Sequence, residues 1–404
     1  MFGLDIKKLD AEYREMALQR KEENRIFFSR YLDELVKERN TRKKIIESES
    51  QEHFELTESE YLFTGFKNRT FGRDNAQSSA DYLQVSGVKF YYCEFQNCSF
   101  SNITFRDCIF AGCSFKECYS MGRGIMFENC SFMKCIPGKN SIDDMAAVFE
   151  ACELSAVFHG CDMTGVMCFN THFYSTRFIE VNLYDAVFLD CGFDIVRICD
   201  SDLRSAKLIN PKVNDFSFED DNRTTKVNEN TFLGIVNFSR KEKMEINSTA
   251  EAYRSLSRLF EKNDVVENSS EYFYLFKKTE MYRLTGLSRI KSFLSHIICG
   301  YGERPSFSLI CAVVLVLVCG TLYMFMGVSY NNEVISFLPG RDGVIPPLGN
   351  LAYWYHFSLV TFTTVGYGNV TPVGGSVIVS GTEMVLGVIL TGIWVSTLVR
   401  KMTR

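Results

Sequence analysis

Residues 361–369 read TFTTVGYGN, and the tripeptide GYG also occurs at Gly300–Gly302, inside CGYGERP. Such stretches offer backbone oxygens rather than a nucleophile. An ordinary strand sends alternate carbonyls to opposite sides. Left-handed dihedrals at alternate positions turn successive carbonyls one way, and glycine adopts them with little penalty. Gly366 and Gly368 have that spacing. Carbonyls aligned in this way can replace the water shell of a potassium ion, and the Thr364 hydroxyl can add a further oxygen.

The elements around the two copies separate them. Residues 305–332 contain no charged side chain, and residues 370–398 contain one, Glu383. Each run exceeds the roughly 20 apolar residues that a helix needs to cross a bilayer. Arg289, Lys291 and Arg304 precede the first run, Arg400, Lys401 and Arg404 follow the second, and Arg341 is the one Lys or Arg between them. That asymmetry puts both termini on the cytosolic side. The second GYG lies between the spans, after NLAYWYHFSLVTF, where Asn350 could cap a short helix over residues 351–362. That helix is too short to span, and re-entrant backbone at membrane depth must line water or be buried in protein. Its negative end favours a cation. The first GYG precedes Glu303, Arg304 and Pro305 and reads as a bend into the first span.

TFTTVGYGN, flanked by a span, a short helix and a second span, resembles the potassium-channel pore module of the two-transmembrane type over residues 305–400. The resemblance implies four chains around one pathway. It implies K+ coordination by Thr364, Val365, Gly366 and Tyr367, with Gly368 completing the filter. Thr363, Asn369, Trp354, Tyr355 and Glu383 would support the filter, the Tyr367 ring packing on Trp354 or Tyr355. Gly387 and Gly392 compete as the hinge of the second span. Asn369 stands where the family usually has Asp, the loop VGGS after Pro372 is one residue short, and no Arg-rich voltage-sensing span is present. Glu383 is read as a brace accepting hydrogen bonds behind the filter, with a cation site or proton sensor as the other readings.

Upstream the periodicity changes. Phe90, Phe95, Phe100, Phe105, Phe110 and Phe115 recur every fifth residue, and the phase resumes at Phe158 and runs to Leu208. Two places earlier stand small or modest residues such as Cys93, Cys98, Cys108 and Cys113. Period five fits neither an amphipathic helix nor a lone strand, and repetition at fixed spacing argues for a solenoid. Residues 81–218 resemble the pentapeptide-repeat family. The resemblance implies a right-handed quadrilateral β-helix with large residues on its axis and small ones two places before. On that reading the cysteines are small interior residues, although Cys93 and Cys113 stand one coil apart, within possible reach of each other. The register breaks at 119–124 and 137–145, where loops are expected to leave the rod.

The charged residues 1–60 are expected to be helical, with an apolar stripe at Ile26, Phe27, Tyr31, Leu32 and Leu35 that serves either docking on the rod or packing between subunits. Residues 242–302 are expected to form a helical hairpin, with caps at Ser248 and at Ser269 or Ser270 and a turn at Asn263 and Asp264. An amphipathic helix follows, with Leu287, Ile290, Phe293, Leu294 and Ile297 on one face, suited to a bilayer surface.

A net charge of −5 suggests no nucleic-acid partner, and 15 Cys in 404 residues without a C-x-x-C pair suggest neither a secreted disulfide scaffold nor a zinc site. The N-terminus lacks the apolar core of a signal peptide. Five dispersed His and no nucleophile–base pattern argue against an enzyme. The expectation is therefore a multidomain, multi-pass protein of the inner membrane. It has an N-terminal charged helix, a β-helix, a helical linker and an all-α pore module. It assembles as a homotetramer, needs no cofactor beyond permeant K+, and is gated through the rod by an unknown ligand or protein. The competing expectations are a membrane-anchored scaffold with a vestigial pore and a poorly selective cation channel.

Overall fold

The computed structural model describes residues 6–38, 42–132, 147–235, 243–337 and 348–403. The chain divides into two compact units, Leu4–Arg283 and Leu284–Arg404.

The first unit is a parallel β-solenoid of about eight coils. Phe158 pairs with Phe178 and Phe178 with Ile198, a step of 20 residues, which is four faces of five. At each corner the residue two places after the axial one turns left-handed, as at Asn97, Asn102, Asp107, Asp185 and Asp190. Asn and Asp recur there because their short polar side chains tolerate that region. The axial rings form columns: Phe66, Phe95, Phe115 and Phe149 stack at centroid spacings of 5.0, 4.7 and 4.6 Å. Those spacings match the distance between hydrogen-bonded strands.

The small positions have a second task. The Cys98 thiol donates to the Phe66 carbonyl oxygen at 3.3 Å, and the Thr171 hydroxyl donates to that of Phe149 at the same distance. Thiol and hydroxyl thus act alike, as buried donors to a neighbouring coil. Cys93 and Cys113 are both free thiols. Burial pushes the Cys191 thiol up to about 12, which keeps it protonated and inert.

Several boundaries differ from the periodic reading. The ladder begins at the strand Lys44–His53, inside the stretch expected to be helical, where it pairs in parallel with Thr64–Gly72. An open parallel ladder needs a partner for its first coil, and this polar strand supplies one. The break at residues 119–124 is a register shift within the strand Tyr119–Glu128, not a departing loop, with Gly122 and Gly124 left-handed. The break at 137–145 lies outside the described residues.

The N-terminal helix α1 (Ile6–Glu38) docks on the rod. It uses Ile6, Tyr13 and Ala17, and from the expected stripe Leu32, which packs with Phe63, Tyr92 and Ala111 of the rod; Ile26 is exposed, and the side chains of Phe27, Tyr31 and Leu35 lie outside the described set. Arg14 meets Asp190 and Arg20 meets Asp185, carboxylates of the rod corners.

Helices α2 (Lys243–Lys262) and α3 (Val266–Arg283) form the hairpin, with Asp264 left-handed in its turn. Both begin before the expected caps. Ser248 is interior to α2, and Ser269 sits inside α3, exchanging hydroxyl-to-carbonyl bonds of 3.0 Å with Ser257. Tyr253, Phe260 and Tyr272 belong to the rod's own core, and the Leu233 amide donates to the Tyr272 hydroxyl at 3.1 Å. The hairpin therefore closes the last coil. The helical stretch read as one region, 242–302, is divided between the units at Leu284.

The second unit contains α4 (Gly286–Cys299), α5 (Pro305–Met326), α6 (Leu348–Phe362) and α7 (Ser376–Thr403). Its two longest helices are long and apolar enough to cross a membrane. The strand Val328–Tyr330 pairs antiparallel with Glu333–Ile335 on one side and Val370–Pro372 on the other.

Candidate functional site

Helix α6 ends at Phe362, and the loop after it carries the candidate residues. Asn350 lies within α6 rather than capping it, because the helix starts at Leu348. The last turn closes with the Thr363 amide on the Leu359 carbonyl oxygen and the Val365 amide on that of Val360. The Thr363 hydroxyl folds back to the Leu359 carbonyl oxygen at 2.8 Å.

From there the backbone alternates. Thr364 (φ 56°), Gly366 (φ 56°) and Gly368 (φ 81°) are left-handed, while Val365 and Tyr367 are not. For a β-branched threonine this region is an outlier, the kind of strain that collects at functional sites. Among the described residues, no backbone hydrogen bond ends on a carbonyl of residues 364–368. The side chains of Val365 and Tyr367 are 55% and 69% exposed. A cavity of about 380 Å³ lies beside the loop, against His356, Phe357, Thr361 and Tyr367. The loop leaves through Asn369, which is exposed, into the strand Val370–Pro372. That strand ties it to the end of α5, and the Ser376 hydroxyl adds a bond to the Gly327 carbonyl oxygen at 2.5 Å.

The supporting aromatics are arranged differently from the expectation. Tyr367 stacks on His356 at 6.1 Å, not on Trp354 or Tyr355 of its own chain. Trp354 is fully buried and donates its indole N–H to the Ile335 carbonyl oxygen at 3.2 Å, while Tyr355 meets the Thr321 hydroxyl at 3.1 Å. Both anchor α6 to neighbouring segments of the same chain. His356 was not singled out in the sequence.

Glu383 is buried and joins three helices. It accepts from the Tyr323 hydroxyl of α5 at 2.7 Å and from the Ser358 hydroxyl of α6, which also reaches the Val316 carbonyl oxygen at 2.8 Å. One hydroxyl proton serves one of those two acceptors at a time.

The hinge candidates also separate. A Cβ on Gly387 would lie 2.3 Å from the Phe362 carbonyl oxygen, so this glycine lets α7 approach the end of α6. Gly392 has nothing within 4 Å in that direction. Helix α7 runs unbroken through both.

Residues 348–404, which include α6, the loop and α7, match the family described as ion channel, and residues 86–119 match pentapeptide repeats in 8 copies. The chain joins a two-transmembrane ion-channel domain to a pentapeptide-repeat solenoid. Neither is an enzyme family, and the chain is a membrane protein. Solved structures of pentapeptide-repeat proteins resemble it, among them two with low identity and TM-score. QnrB1, a plasmid-mediated fluoroquinolone resistance protein, is 17% identical over 39% of this chain and 78% of its own, with a TM-score of 0.26. HetL, a pentapeptide repeat protein from the cyanobacterium Nostoc, is 10% identical over 48% of this chain and 86% of its own, with a TM-score of 0.25. A comparison with curated proteins finds no match.

Proposed function

We propose that this ion-channel protein is a potassium-selective pore assembled from four copies of the chain. The reading rests on one observation above all: left-handed dihedrals at Thr364, Gly366 and Gly368, spaced by two, in a loop whose carbonyls have no partner among the described residues. Alternation of this kind aims successive oxygens along one line, where they stand in for the hydration shell of K+. Thr364, Val365, Gly366 and Tyr367 supply those carbonyls, and Thr364 adds its hydroxyl. One loop offers a single oxygen per layer, so a complete ion cage requires several copies, and four is the number that the channel resemblance implies.

Asn369 leaves the outer mouth without the four carboxylates that Asp would bring, which affects conductance more than selectivity. Arg289, Lys291, Arg304, Arg400 and Lys401 assign the helix ends they flank to the cytosol, and with them both termini and the solenoid. The membrane is the inner membrane. The solenoid acts on the pore through α3 and α4, in response to a ligand or protein that binds it.

The test is reconstitution of the full chain in planar bilayers under opposing K+ and Na+ gradients, beside native mass spectrometry. A reversal potential near that of K+ from a tetramer is the expected result. A potential near zero means a poorly selective cation channel. Silence from well-folded tetramers favours an anchored scaffold with a vestigial pore.

A further inference from the structure

We infer that Glu303 is a positioning residue for gating, a carboxylate latch that ties the cytosolic end of α7 to the elbow between α4 and α5. The inference rests on the channel reading above and concerns the GYG copy that the ion pathway does not use.

Gly300 (φ 54°), Tyr301 (φ 58°) and Gly302 (φ 85°) are left-handed in succession. Two glycines accept this, but Tyr301 adopts it against its own preference, and an outlier persists only where its surroundings hold it. Those surroundings are present. The Tyr301 ring stacks on His296 at 5.7 Å, and its hydroxyl meets that of Ser292 at 3.2 Å. The turn is further clamped from α5, where the Ser308 hydroxyl donates to the Ile298 carbonyl oxygen at 2.8 Å and the Cys311 thiol to that of Ile297 at 3.4 Å. These bonds occupy carbonyls that a helix end otherwise leaves open. They tie the end of α4 to the start of α5.

The turn delivers Glu303. Its side chain is only 6% exposed, and its Oε1 pairs with Nη2 of Arg400 at 2.9 Å. A Cβ on Gly302 would lie 3.1 Å from Nη1 of Arg400, so the absence of a side chain there leaves room for the guanidinium. Arg400 sits 13 residues beyond Gly387, about 20 Å along α7 at helical rise. The guanidinium is 41% exposed, so the pair is half-buried. Moving the end of α7 away from the elbow breaks this contact, so displacement of one is passed to the other. Only Leu284 and Thr285 separate α3 of the solenoid unit from α4, which gives the elbow a short covalent handle.

The test is a charge cycle in the full chain, with Glu303→Gln, Arg400→Gln, the double glutamine variant and the exchanged pair Glu303→Arg/Arg400→Glu, each recorded as single channels in bilayers. Each single variant is expected to change open probability by about fivefold or more, a typical coupling between linked sites. Unitary conductance and reversal potential should not change, since the filter is untouched. The double variant should fall short of the product of the singles, and the exchanged pair should recover wild-type open probability to within about twofold. The latch is overturned if the singles leave open probability unchanged, if their effects multiply as independent changes, or if exchange restores nothing. Should a glutamine variant fail to assemble, Glu303→Asp and Arg400→Lys lengthen the pair with charge retained, and a latch predicts a smaller change of open probability in each with the same non-additivity in the double variant. A silent wild-type chain overturns the channel reading and the latch together, whereas a conducting wild type with a multiplicative cycle overturns the latch alone.

Discussion

The solenoid and the loop at residues 364–368 both run on left-handed residues placed at regular intervals, and the interval decides what each can do. In the solenoid the interval is five, as at Asn97, Asn102 and Asp107, and each such residue turns a corner between short strands. The backbone carbonyls then face the next coil and are used there, while the axial rings are sealed inside. In the loop the interval is two, at Thr364, Gly366 and Gly368, and the carbonyls gain no partner among the described residues. Unpaired backbone groups away from water are costly, so on the proposed reading the loop of one chain is half of an interaction. The solenoid is completed by its own sequence. On the proposed reading, the loop is completed by an ion and other copies of itself.

The largest expected effect comes from breaking the shorter interval. Gly366→Ala meets no atom within 4 Å of the new Cβ, so steric clash is not its mechanism. The cost is conformational, about 1–2 kcal/mol in each copy for holding a non-glycine residue left-handed. Repeated around the proposed tetramer, it would be enough to collapse the proposed coordination geometry. Rubidium flux into liposomes should fall by about a hundredfold or more, while the tetramer persists in native mass spectrometry. Flux at the wild-type level would remove the left-handed alternation from the mechanism.

In the solenoid the matching experiment is Phe95→Ala. Its ring is sandwiched between Phe66 and Phe115 and is fully buried. Removal should cost the unit about 3–5 kcal/mol, read as a lowered denaturation midpoint of the full chain. Ion selectivity should be unchanged in whatever folded protein remains. The two variants thus exchange readouts, one losing flux without stability and the other stability without selectivity.

A third variant asks whether the pore unit is unfinished throughout or only at its loop. Tyr323, Ser358 and Glu383 form a buried junction that one chain completes by itself. Glu383→Gln puts an amide N–H₂ where one of two hydroxyl donors now points, leaving a mismatch of about 1–3 kcal/mol. The detergent-solubilised tetramer should melt at a lower temperature, with its K+ reversal potential retained. Lost selectivity at unchanged stability would move Glu383 from brace to ion pathway.

How far each region could be read from sequence follows from where its information lies. Phe at every fifth place is visible in one line of letters because each side chain repeats the same burial. The start at Lys44 was hidden, since that strand is polar and carries no axial Phe. Gly122 and Gly124 suggested a departing loop, because a bulge and a loop ask for the same residues. In the second unit the glycines at 366 and 368 marked the loop, for only a left-handed demand explains them at that spacing. The places of Trp354 and Tyr355 were not legible: any of α6's aromatics could have faced the loop, and only packing against Ile335 and Thr321 decides. The Glu303–Arg400 pair is a contact between distant segments, of which neither local charge pattern gives a sign.

The smallest effect probes how far the self-sufficiency of the solenoid extends to α1. Lys207 is nearly buried in the strand Lys207–Ile209, with its ammonium over the Tyr13 ring of α1 at 4.6 Å and a bond to the Asn230 carbonyl oxygen. Burial brings its pKa down to about 8 from an ordinary 10.5. Between those two values the unfolded chain holds a proton that the folded chain has released, so stability rises with pH across that window. Below about pH 8 both states carry the charge, and this group contributes no slope. The gain, after allowance for solvent screening, is about 1 kcal/mol. Denaturation midpoints of the full chain should climb between pH 8 and pH 10, and Lys207→Met should flatten that climb while leaving the filter's reversal potential as it was. A slope that survives the substitution would mean that the ammonium is better hydrated than its burial implies, and that α1 sits more loosely on the coils than its ion pairs with Asp185 and Asp190 indicate.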